Sequence, residues 1–138
     1  TVTYSNGNEY VGDWWKGKKE GQGTFTLYNG TKYVGQFSNN KFNGHGTLTY
    51  EASSSKFPEF FDEGSKYVGL FSDGKPHGDG VGINSRGEKY TGEWAAFKFH
   101  GHGVYKYPNG EIYAGQFENG KKHGKGTFTG TNGYKYSC

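Results

Sequence analysis

Residues 10–25 read YVGDWWKGKKEGQGTF, a phrase of rings and glycines with hardly an aliphatic residue between them. The phrase returns as YVGQFSNNKFNGHGTL from Tyr33, YVGLFSDGKPHGDGVG from Tyr67, YTGEWAAFKFHGHGVY from Tyr90 and YAGQFENGKKHGKGTF from Tyr113. The tyrosines fall at 10, 33, 67, 90, 113 and 136, so four of the five spacings are 23 residues and one is 34. Eleven residues are therefore inserted between Tyr33 and Tyr67. A fixed period of this length marks a stack of equal units, each one supersecondary element. The whole chain, 1–138, reads as a single array: a half repeat at 1–9, then repeats at 10–32, 33–66, 67–89, 90–112 and 113–135. The insert lies near 51–63 in the second repeat, and a sixth begins at 136.

Within a unit the side-chain pattern alternates with period two, the mark of a strand. In YVGDW, Tyr10, Gly12 and Trp14 face one way while Val11 and Asp13 face the other. The second strand, GTFTLY, alternates Phe25 and Leu27 with threonines. A Gly- and Lys-rich turn joins the two strands, and Asn29-Gly30 signals a tight hairpin turn into the next unit. Strand glycines are a weakness unless a ring lies over the bare backbone. Gly12 sits between Tyr10 and Trp14, and Gly21 with Gly23 gives similar room on the next strand. One hairpin is too small to offset the entropy of ordering it, so each repeat needs its neighbours. The expected fold is all-β, an elongated single-layer antiparallel sheet of stacked hairpins.

Composition agrees with a core built from rings. Phe, Tyr and Trp number 26, against 11 for Leu, Ile and Val together. Disordered chains share the aliphatic poverty but lack such rings and carry a high net charge; here the net charge is +3. The one cysteine, Cys138, allows no internal disulfide and gives secretion no support. No run approaches the roughly 20 apolar residues of a membrane-spanning helix. The opening TVTYSNGNEY is polar and unlike a secretory leader, and the missing initiator Met is read as processing or excision. The expected location is cytoplasmic.

The pattern Y-x-G-x-[W/F]-x-x-G-x-x-x-G-x-G every 23 residues resembles the MORN repeat (membrane occupation and recognition nexus) and covers Thr1 to Tyr136 apart from the insert. Choline-binding repeats are also aromatic, Gly-rich hairpins, but their spacing differs and they lack the G-x-G after the turn. The resemblance implies a twisted ribbon with the Tyr and Trp/Phe columns lining one concave face. It also implies frequent company of a lipid kinase or methyltransferase domain, and none is legible in these residues.

Chemistry finds little support. His77, His100 and His123 occupy one position in successive repeats, but zinc ligands must all lie about 2 Å from the metal, and a repeat rise separates these. A turn role is the simpler reading, and the resemblance favours it. His100 and His102 bracket Gly101, yet two ligands alone bind an ion weakly. Cys138 has no sequence neighbours that mark a nucleophile. The GHG and GDG runs are not phosphate loops, because no helix follows them. The chain reads as non-enzymatic, without metal or cofactor.

Two binding surfaces are candidates. The first is an exposed aromatic groove for a helical or extended protein segment, formed by Tyr10, Tyr33, Tyr67, Tyr90 and Tyr113 beside Trp14, Phe37, Phe71, Trp94 and Phe117. Those rings can instead simply hold the sheet together. The insert EASSSKFPEFFDE adds Phe57, Phe60 and Phe61, as a lid or as partner contacts. At Ala95–Phe99, Phe97 replaces a turn glycine; since phenylalanine resists positive φ, a different turn is expected there, with Phe97 and Phe99 at its tip. The second candidate is a basic edge for acidic phospholipids such as phosphoinositides. The five turns after the Trp/Phe position carry +5, mainly from Lys16, Lys18, Lys19, Lys121, Lys122 and Lys125. A single arginine argues against nucleic acid. Unpaired terminal strands leave room for a homodimer. The functional expectation is a scaffold or adaptor, at membranes or cytoskeleton through its partner, with direct lipid binding as the alternative.

Overall fold

The structure, a computed structural model, describes residues 1–50 and 63–137. It is one open twelve-stranded sheet in which the strands follow chain order and every neighbouring pair is antiparallel. The strands are β1 (Val2–Thr3), β2 (Glu9–Trp15), β3 (Lys18–Thr26), β4 (Lys32–Ser38), β5 (Lys41–Thr49), β6 (Lys66–Ser72), β7 (Lys75–Ile83), β8 (Lys89–Ala95), β9 (Lys98–Lys106), β10 (Ile112–Glu118), β11 (Lys121–Thr129) and β12 (Lys135–Ser137). Each complete repeat thus supplies a seven-residue strand and a nine-residue strand. Among the described residues no helix is long and apolar enough to cross a membrane.

The two-residue difference within each hairpin is absorbed by a bulge. Between β2 and β3 the register runs Gly12 to Gly23 and then Trp14 to Lys19, passing over Asp13. Gly21 takes φ 79° at this step, and its counterparts Gly44, Gly78, Gly101 and Gly124 are also left-handed. A left-handed glycine opposite a skipped residue is the usual chemistry of such bulges. The last two glycines of Y-x-G-…-G-x-G therefore have different jobs. Gly21 turns the backbone, whereas Gly23 leaves space for the Tyr10 ring, which a Cβ there would strike.

The two rows of turns also differ. After the shorter strands both turn residues are left-handed, as in Lys16 (49°) with Gly17 (76°) and Asn39 (54°) with Asn40 (70°), the hairpin geometry that matches strand twist. From the second such turn onward, the second residue is tied back to the preceding hairpin: Asn40 N–H donates to Lys19 O, Gly74 N–H to Phe42 O and Gly120 N–H to Phe99 O. In the opposite row Asn29-Gly30 is not the two-residue turn its sequence signals. Only Gly30 is left-handed, and Asn29 accepts a bond from Thr31 N–H through its side chain. The insert enters this row without opening the closure it interrupts. Tyr50 N–H donates to Ser65 O and Gly64 N–H to Tyr50 O, as Leu27 N–H does to Thr31 O and Gly30 N–H to Leu27 O.

Candidate functional site

The ring columns differ from the open groove expected of them. Tyr10, Tyr33, Tyr67, Tyr90 and Tyr113 are at most 2% exposed, and Phe37, Phe71, Trp94 and Phe117 at most 5%. A ring from the next repeat is the reason. Tyr10 packs edge-on against Trp14 of its own repeat and Phe37 of the following one, both at 5.1 Å between centroids. Tyr33 sits likewise between Phe37 and Phe71, Tyr67 between Phe71 and Trp94, and Tyr90 between Trp94 and Phe117. Tyr113 against Phe117 completes an unbroken zipper. Each such pair adds about 0.5–1.5 kcal/mol beyond the area buried. The columns are the core; only Trp14, at one end, stays open, at 42%.

The tyrosine hydroxyls explain the Y-x-G spacing. Each lies across its glycines and donates to the carbonyl of the residue skipped by the bulge: Tyr10 to Asp13 O (2.7 Å), Tyr33 to Gln36 O (2.7 Å), Tyr67 to Leu70 O (2.8 Å) and Tyr90 to Glu93 O (3.0 Å). Burial raises these four phenols above the ordinary tyrosine range, with Asp13 adding to the rise at Tyr10, Asp79 at Tyr67 and Glu93 at Tyr90. They serve the fold as hydrogen-bond donors to the bulge carbonyls.

Opposite the Trp/Phe column, one inner position of the second strand changes character along the sheet. Phe42 stacks on Tyr33 at 3.9 Å and Phe99 on Tyr90 at 4.1 Å, with Pro76 buried between these repeats. In the outer repeats that register position is a lysine: Lys19 opposite Trp14, and Lys122 opposite Phe117. Lys19 Nζ lies 5.0–5.6 Å from the ring centroids of Tyr4, Tyr10, Trp14 and Phe25. Lys122 Nζ lies 5.0 Å from Tyr107 and Tyr113 and 5.8 Å from Phe128. These two lysines, expected on a basic edge, are turned onto the ring face. Lys16, Lys18, Lys121 and Lys125 remain exposed.

The open rings of this face are ones that the Tyr and Trp/Phe columns did not flag. Phe25, Phe42, Tyr105, Tyr107 and Phe128, with Tyr4, pack against the core while keeping part of their surface in solvent. A hollow between Phe99, Tyr105, Tyr107, Phe117 and Lys122 opens among them. Their signal was the alternation in the second strand, which places Phe25 on the face of Tyr10, its partner in register. On the opposite face Val11 faces Thr24, Val34 faces Thr47 and Val68 faces Val81, a row of short side chains, with the exposed Trp15 on the same face at the tip of the first hairpin.

The tip at Phe97 also corrects the sequence. Ala96 (49°) and Phe97 (72°) form the same left-handed turn as their counterparts, and Phe97 N–H donates to Pro76 O in the equivalent inter-repeat bond. Phe97 packs half-buried against the core, and Phe99 is not at the tip but within the stack. Phe57, Phe60, Phe61 and Cys138 lie outside the described residues. His77 and His100 flank a shallow hollow with Asp79 and Glu93, while His123 Nδ1 stands 3.4 Å from Glu118 Oε2. Among the described residues no group of three or more His, Cys, Asp or Glu could hold a metal ion.

The family model for the MORN repeat matches residues 10–32, 33–54, 67–81, 90–112 and 113–133. A search of curated proteins finds none that matches the chain.

Proposed function

Because the chain belongs to the MORN-repeat family, we propose that it is a non-catalytic scaffold whose ring face seats a helical or extended segment of a partner protein. Repeats of this family are generally protein- or lipid-interaction modules, and the family is typically non-enzymatic. One observation supports a protein segment: aromatic surface stays partly open on one side of the sheet in two groups, Phe25 with Phe42 and Tyr105 with Tyr107 and Phe128, while Leu48, Pro76 and Gly82 between them are buried. Half-exposed rings on a rigid frame offer large contact area at little entropic cost. Location at a membrane or the cytoskeleton would follow from the partner. The alternative, direct binding of acidic phospholipid, keeps Lys16, Lys18, Lys121 and Lys125, which are exposed but sit in the two outermost hairpins.

Photo-crosslinking residues placed at Phe25 or Tyr105, and separately at Val34 or Val104 on the other face, test this in cells. The scaffold reading expects one protein trapped from the ring-face positions and little from the others. Equal trapping from both faces would overturn it. Salt-sensitive pelleting with acidic liposomes that disappears on Lys121→Glu with Lys125→Glu would replace it with the lipid reading.

A further inference from the structure

Resting on the scaffold reading, we propose that Lys19 and Lys122 are paired anchors that each accept a carboxylate from the seated segment, so that the partner is apolar in its middle and acidic at both ends. The two lysines share one register position with Phe42, Pro76 and Phe99, and that position is cationic only in the outer repeats. A lysine needed only for solubility would point away from the rings, as its neighbours Lys18 and Lys121 do one residue earlier on the alternating strand. Instead both ammonium groups are held over ring faces, Lys19 by four and Lys122 by three. That contact sets each cation beside aromatic surface while leaving it reachable: Lys19 is half-buried and Lys122 exposed.

Neither charge is matched by another described residue. Among the described residues no carboxylate stands within 4.0 Å of either ammonium. A carboxylate arriving beside a ring-lined cation meets a lower effective dielectric than at an open surface, so the pair is worth more there. The separation sets the length of the guest. β3 and β11 are eight strands apart in the sheet. At ~4.8 Å per strand the lysines stand about 38 Å apart along the ribbon, the span of roughly 12 extended residues or about 25 helical ones. A planar lipid surface would have to meet the partly open rings as well as both lysines, which an array of headgroups does not match; a linear segment does.

The experiment selects binders of the whole chain from displayed random peptides in two libraries, one of roughly 15 residues and one of roughly 28, to cover both spans. Selected peptides are then resynthesised and their affinities measured. The expected peptides carry Asp or Glu near both ends around apolar residues. Lys19→Met and Lys122→Met, which keep the apolar stem, should each weaken binding roughly tenfold with the melting temperature held. Lys122→Glu should recover affinity for a peptide whose matching acid is replaced by Lys, which a merely structural lysine would not do. Peptides without acidic ends, or unchanged affinity in both Met variants, would overturn the anchors. If those peptides still lost affinity on Tyr107→Ser, the ring-face reading would survive. If no peptide is selected, or if selected peptides ignore both the lysines and the rings, both ideas fall. Acidic liposomes that pellet the chain and are released by the same Met variants would reassign the lysines to lipid.

Discussion

At the scale of the residue, the most informative group is the tyrosine hydroxyl of Y-x-G. The bulge leaves one carbonyl per repeat outside the ladder, and the hydroxyl three residues earlier supplies its donor. Removing that donor strands a part-buried carbonyl, so Tyr33→Phe should cost about 1–3 kcal/mol. Tyr113 offers an internal control, because its bond to Gln116 O is 3.4 Å against 2.7 Å at Tyr33. A bond that long is weak. Tyr113→Phe should therefore cost less than Tyr33→Phe, as read from urea denaturation midpoints. Equal losses at the two sites would mean that the hydroxyl bond is not what the tyrosine contributes.

At the scale of the element, the turn at Ala96–Phe97 shows that the hairpin dictates its turn and not the reverse. Strand twist and the inter-repeat bond to Pro76 O hold Phe97 at φ 72°, a conformation that costs a side chain about 1 kcal/mol or more. Ala normally outperforms Gly in stability; here the order should invert. Phe97→Ala loses the half-buried ring and keeps the strain, whereas Phe97→Gly loses the ring and sheds the strain. The glycine variant should therefore be the more stable of the two by about 1 kcal/mol in chemical denaturation. A more stable alanine variant would show that the turn relaxes. The same tip marks where sequence reading stopped. Period-two alternation gives the face of Tyr33 or Phe25 but not its depth. Tyr10 is covered by Phe37, 27 residues ahead, and that contact follows only from the stacking of repeats. Lys18-Lys19 and Lys121-Lys122 look like undivided basic pairs, although alternation must put one of each on the ring face. That orientation could be counted only once the bulge had fixed the register. The 23-residue period and the hairpin were legible because they need no knowledge of depth.

At the scale of the whole molecule, a core made of phenols gives stability an alkaline limit. Burial raises the pKa of Tyr10, Tyr33, Tyr50, Tyr67 and Tyr90 above the unfolded value of 10.0. Below pH 10 both folded and unfolded chains keep these protons, so the contribution is complete. Above it the unfolded chain releases protons that the folded chain retains, and stability falls with each further rise in pH until the folded values are reached. The slope grows with the number of phenols held back, and the ring zipper couples them across repeats. The melting temperature should be level up to about pH 9 and then drop steeply toward pH 12, with tyrosinate absorbance rising as the sheet signal in circular dichroism is lost. Lysines also discharge in this range, so the decisive comparison is Tyr67→Phe. It removes one titrating group from the middle of the zipper and should make the alkaline decline shallower even though the variant starts from lower stability. An unchanged slope would assign the alkaline loss to the surface charges instead of the buried rings.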